Sequence, residues 1–127
     1  MSGNLIEQLF QYYQNNIGYL WALFLNHLLM SVYGVLFASL IGIPLGILLS
    51  RYNKMAWFVI TVANVIQTVP VIAMLAILML QMGLGTTTVV VAVFLYALLP
   101  IIKNTYTGIT GVDSNITVSY THLTLPT

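Results

Sequence analysis

Between Leu28 and Ile102 the only charged side chains are Arg51 and Lys54, and both fall in one short gap between apolar runs. Everything else in that stretch is apolar, small, or polar without charge. A soluble domain carries about a quarter charged residues, whereas this chain of 127 residues is 60% hydrophobic and 4% charged. A helix of roughly 20 apolar residues crosses the hydrocarbon layer of a bilayer. The pattern therefore predicts an all-α integral membrane protein with three spans, at 28–49, 55–80 and 86–102.

The flanks differ from the spans. Residues 2–20, "SGNLIEQLFQYYQNNIGYL", are too polar to cross, yet Leu5, Ile6, Leu9, Phe10 and Tyr13 fall at helical spacing. That suits a short interfacial helix in the headgroup zone, with Tyr19 and Trp21 as the aromatic belt at the entrance to the first span. The second span is longer than the layer needs, so a tilt or kink is expected in it. "QMGLGTTT", from Gln81, reads as a turn. The polar stretch after Lys103, rich in Thr and Gly, shows no helical periodicity.

The few charges set the orientation and exclude several functions. Arg51, Lys54 and Lys103 fall in the two segments that three spans place on one side. The positive-inside rule makes that side cytoplasmic and the N-terminus external. Three scattered cations make no basic patch, so a nucleic-acid partner is not expected. Cysteine is absent, and His27 and His122 lie far apart in unlike surroundings. No metal site, no cofactor and no catalytic residues are expected, since no paired carboxylates, phosphate loop or triad can be assembled. The spans hold no acidic or basic residue of the kind that proton pumps and voltage sensors use.

Two constellations remain. Gly34, Ala38, Gly42, Gly46 and Ser50 recur every four residues, a continuous strip of small side chains on one face of the first span. Such strips let helix backbones approach closely in a membrane. Pro44 beside the strip is expected to bend the helix. In the second span Thr61, Asn64, Gln67 and Thr68 share a face just ahead of Pro70. Their spacing fits two readings equally: hydrogen-bond glue between helices, or one wall of a polar path with a movable kink.

"QTVP" in the second span, followed by "MGLGTTTVVVAVFLYALLPIIKNTYTGITGVDSNI", resembles the type-1 permeases of binding-protein-dependent ABC importers. The likeness is closest to the glycine betaine, carnitine and choline branch, and "HLLMSVYGVLFASLIGIPLGILLSR" is similar to the first core helix of that family. The resemblance implies a five-helix core with an external N-terminus, of which this chain holds three helices. It makes Asn64, Gln67, Thr68 and Pro70 candidates for the translocation path. It also implies ATP-binding cassette subunits, an extracellular solute-binding protein and a second permease copy or paralogue as partners, in the cytoplasmic membrane of a bacterium. ATP hydrolysis would belong to the cassette subunits. A permease for another small solute such as an amino acid, or a small helical scaffold or exporter, are the alternatives.

The expected division is an interfacial segment at 1–20, the beginning of the permease domain at 21–116, and a non-native tail at 117–127. The family continues after "GVDSNI" into a cytoplasmic helix with an acidic-Ala-Ala motif that docks on the ATPase. Here "TVSYTHLTLPT" carries neither the acid nor the alanines, and reads as translated adapter sequence.

Overall fold

Nothing between Ile17 and Leu49 is strong enough to stop a helix. Asn and His sit in the middle of the propensity scale and cost only a few tenths of a kcal/mol each. In the computed structural model, which describes residues 3–123, this stretch is one helix, α2 (Ile17–Leu49), preceded by α1 (Leu5–Asn15). The break falls at Asn16, whose backbone N–H and side-chain amide both donate to the Tyr12 carbonyl, at 3.0 and 2.9 Å. The first span was expected to begin at 28. The helix begins at Ile17, so residues 17–20, Asn26 and His27 all lie within it. Pro44 sits inside α2 without ending it.

The last helix also outruns the reading from sequence. The third span was expected to end at 102, with a non-periodic stretch beyond. Instead α5 (Thr86–Leu123) continues through Lys103. Single glycines at 108 and 111 cost about 1 kcal/mol each, too little to end a helix. Threonine hydroxyls stay inside it by bonding backward, Thr107 to the Lys103 carbonyl at 2.8 Å and Thr110 to that of Tyr106 at 2.9 Å. A charged residue ends an apolar run, but it does not end a helix. Of the expected tail, residues 117–123 lie in α5, and 124–127 lie outside the described residues.

Between these long helices the chain forms α3 (Asn53–Gln67) and α4 (Val71–Met82), which meet at 92°. The sequence foretold a kink at Pro70; the structure has a full break. Proline removes its own N–H and pushes the preceding residue out of the helical region. The Thr68 and Val69 amides close short turns onto the Val65 and Ile66 carbonyls, and the Thr68 hydroxyl adds a second bond to Val65 at 2.6 Å. Pro70 then opens α4 as its N-cap, with ψ at 140°. Among the described residues, two helices are thus long and apolar enough to cross a membrane, or three if the bent pair is one span.

The packing fixes the direction of the helices. A Cβ placed on Gly34 would lie 2.5 Å from a Val93 methyl. On Gly42 it would lie 2.8 Å from Ile101, and on Gly46 2.6 Å from Thr105. Positions rise together on both helices, so α2 and α5 run parallel. The α3–α4 pair therefore returns the chain from the Leu49 end of α2 to the end where α5 starts. The turn into α5 uses Gly83 at φ +82°, a conformation that favours glycine. Its carbonyl accepts the hydroxyl of buried Thr88 at 2.7 Å. Leu49, Ala56 and Ile102 close a small core at the opposite end, flanked by Leu45, Val59, Leu98 and Tyr106. The other faces of α2 expose Leu36, Phe37, Leu40 and Ile41, each more than half open. Apolar surface on that scale is normally covered by lipid or by partner helices.

Candidate functional site

The polar residues of α3 do not act as a single cluster. Asn64 lies on the side facing α5, where its carbonyl oxygen accepts a hydrogen bond from the Lys103 ammonium at 3.0 Å. A groove of about 440 Å³ opens beside this pair. It is lined by Asn53, Trp57, Ile60, Thr61, Asn64 and Tyr106. Helical spacing explains the set: 53, 57, 60, 61 and 64 follow one stripe of α3, and Tyr106 lies one turn beyond Lys103 on α5. The Thr61 hydroxyl donates to the Trp57 carbonyl at 2.7 Å, so it faces the groove while remaining satisfied by its own helix.

Gln67, Thr68 and Pro70 belong instead to the joint between α3 and α4. Gln67 is half-buried at the last position of α3, Thr68 is exposed with its hydroxyl turned back onto Val65, and Pro70 is exposed at the corner. The break leaves the Val69 carbonyl without a helical donor, and the Tyr96 hydroxyl of α5 donates to it. An unpaired carbonyl in an apolar layer costs about 1–3 kcal/mol, so this tyrosine holds the corner in place. Next to it an apolar cleft of about 400 Å³ runs between α4 and α5, lined by Val71, Leu75, Ala92 and Tyr96 among others. It offers a polar solute nothing to bond.

Gly34, Ala38, Gly42 and Gly46 are all buried, on the α2 face that meets α5. Ser50 closes the strip as the C-cap of α2, its hydroxyl donating to the Ile47 carbonyl at 2.5 Å. From sequence, Tyr96 drew no attention, and Lys103 marked only orientation and the end of a span. In the structure it stands between the levels of Gly42 and Gly46, roughly 8 Å short of the end of α2 at 1.5 Å per residue. Among the described residues no three His, Cys, Asp or Glu side chains come together.

The chain resembles known bacterial transport permeases. It is 58% identical over 109 residues to the glycine betaine/carnitine/choline transport system permease protein OpuCD of Bacillus subtilis, covering 86% of this chain and 48% of that protein. It is 58% identical over 108 residues to the carnitine transport permease protein OpuCD of Listeria monocytogenes, covering 85% and 48%. The choline transport system permease protein OpuBD of Bacillus subtilis matches at 54% over 110 residues, covering 87% and 49%. Over most of its length the chain is similar to permease proteins named for osmoprotectant transport. It spans about half the length of these curated relatives. No family model matches it, and no solved structure does. With its long apolar helices, the permease is a multi-pass protein of the bacterial cell membrane.

Proposed function

We propose that this chain forms part of the translocation path of an ABC importer for quaternary-ammonium osmoprotectants: glycine betaine, carnitine or choline. The observation that carries the reading is the 58% identity, over most of the chain, to a permease named for those three solutes. In this reading the permease works with ATP-binding cassette subunits, an extracellular solute-binding protein and a second permease copy or paralogue. It is a transport subunit and leaves ATP hydrolysis to the cassettes.

The α3–α4 pair serves as one broken span, giving three crossings, and α1 lies in the headgroup zone. The parallel run of α2 and α5 supports this, because the chain must cross once between them. The N-terminus is external, with Arg51, Lys54 and Lys103 toward the cytoplasm. Residues 21–116 are the beginning of the permease domain, residues 1–20 its N-terminal segment, and 117–127 a non-native tail. Asn64, Gln67, Thr68 and Pro70 border the path, Asn64 as part of its wall and the other three as its movable corner. Gly34, Ala38, Gly42 and Gly46 are the packing face.

Uptake measured with the full-length permease, its cassette subunits and its binding protein tests the solute class. Saturable, ATP-dependent uptake of at least one of the three solutes is expected, and uptake of an unrelated solute alone would refute it. Single cysteines at Asn53 and Gly85 test the topology in whole cells. Gly85 should react with an impermeant reagent and Asn53 should not, and the reverse pattern would invert the orientation.

A further inference from the structure

The groove between α3 and α5 has two chemically distinct parts. Asn64 lines it, and the Lys103 ammonium beside it donates to the Asn64 amide oxygen at 3.0 Å. Along its walls are the rings of Trp57 and Tyr106. Lysine carries three N–H donors and no acceptor, and the bond to Asn64 uses one of them. Residues three apart on a helix face have Cβ atoms about 5–6 Å from each other, so Tyr106 and Lys103 are neighbours on one face of α5. Tryptophan and tyrosine faces attract quaternary ammonium groups, which cannot donate hydrogen bonds. A cation and a π-face side by side are poorly suited to a solute that is purely cationic. They suit one whose ammonium and carboxylate are joined by a short linker.

We propose that this groove is a subsite for zwitterionic quaternary ammonium solutes. Their carboxylate lies on Lys103 and Asn64, and their ammonium lies against Trp57 and Tyr106. The proposal rests on the osmoprotectant reading above and narrows it. In glycine betaine a single methylene joins the two charges, and in carnitine a short hydroxylated chain does. Choline has the ammonium but a hydroxyl in place of the carboxylate, so Lys103 repels it and gains nothing in return. The groove of about 440 Å³ accepts such a solute with water around it. That fits a path, which must bind weakly enough to release.

The test is competitive uptake of glycine betaine, carnitine and choline by the full-length permease with its cassette subunits and an unchanged binding protein. Because the binding protein is constant, a changed ratio between solutes reports on the permease. Lys103→Met keeps the stem and removes the charge. A hydrogen bond to a charged group contributes about 1.5–3 kcal/mol, so betaine and carnitine uptake should fall about tenfold or more while choline uptake holds or rises. Lys103→Arg should restore the zwitterion preference. Thr61→Asp, at an exposed groove position, sets an anion opposite Lys103 and should shift the ratio toward choline even if the Met variant assembles poorly. An equal fall for all three solutes in Lys103→Met, with no shift in Thr61→Asp, would overturn the subsite and leave the osmoprotectant reading standing. Wild-type permease that moves none of the three would remove both.

Discussion

The α2–α5 seam and the α3–α4 joint lie side by side and are built on opposite plans. The seam is made of small residues on one helix and apolar residues on the other, with backbones so close that Gly46 leaves 3.0 Å between an added Cβ and the Ile102 carbonyl. Both helices run through it unbroken, past Pro44 and Pro100. At the joint the helix is broken, a carbonyl is handed to a tyrosine on another helix, and the polar residues are half-buried or exposed. In a bilayer no hydrophobic force drives helices together, so close fit is the main source of cohesion. The part that must stay fixed spends its sequence on fit, and the part placed to move spends it on polar groups and a break.

If that contrast is right, the seam should be the most sensitive place in the chain. Gly46→Leu forces a side chain into Thr105 and the backbone of α5. Overpacking of this kind costs about 1–3 kcal/mol, sometimes more, and the rigid carbonyl puts this site at the upper end. The full-length permease should lose most of its folded yield in detergent, read by size-exclusion profile. Ile43→Leu, on the outer face of α2 at 45% exposure, should leave the profile unchanged. Equal tolerance at both positions would end the distinction between seam and outer face.

Tyr96→Phe tests the joint at its anchor. With the hydroxyl gone the Val69 carbonyl loses its donor, and the expected loss is about 2 kcal/mol, within the range for an unpaired buried acceptor. Thermal unfolding of the purified permease should show it. Because the break is made by Pro70 and not by the tyrosine, the corner should also become more accessible to alkylation of a cysteine placed at Thr68. A destabilised protein with no gain in labelling would make Tyr96 ordinary packing.

Gly83→Ala probes the far end of α4. A side chain at φ +82°, ψ −178° costs about 1–3 kcal/mol, and the melting temperature should drop with uptake kinetics intact. Asn64→Leu should have the smallest effect on stability, about 0.6 kcal/mol for one lost contact between helices. Its uptake should fall by far more than that stability loss explains. Stability falling first, with uptake tracking it, would turn the polar face of α3 back into glue.

The strip of small residues was legible because its period is the period of the helix, and one helix suffices to reveal it. The turn at Gly83 and the weak point at Pro70 were legible for a similar reason, since glycine and proline act on their own backbone. Helix ends were not. Hydropathy reports where the apolar run stops, while α2 begins at Ile17 and α5 runs on through Lys103 because neither His27 nor a lysine breaks a helix. The bond from Lys103 to Asn64 spans 39 positions, and that from Tyr96 to Val69 spans 27. Nothing in either local sequence encodes its partner; only the antiparallel packing of α3 against α5 brings them level. Gln67 and Thr68 shared a face with Asn64 on paper, just ahead of Pro70. The right-angle break at Pro70 places them at a corner and Asn64 on a wall.

The parallel register of α2 and α5 also sets a timetable. Antiparallel neighbours can zip together as soon as the second helix leaves the ribosome. Here the partner of α2 is made only after α3 and α4, some 60 residues later, which at about 5–20 residues per second is roughly 3–12 seconds of synthesis. During that interval the glycine face of α2 stands in lipid with nothing to dock on. A face of glycine and alanine is well suited to the wait, because it exposes no polar side chain and demands close shape matching before it holds anything. The lateral pairing of the two helices is thus a late event in biogenesis, and the broken span must already be threaded when it occurs.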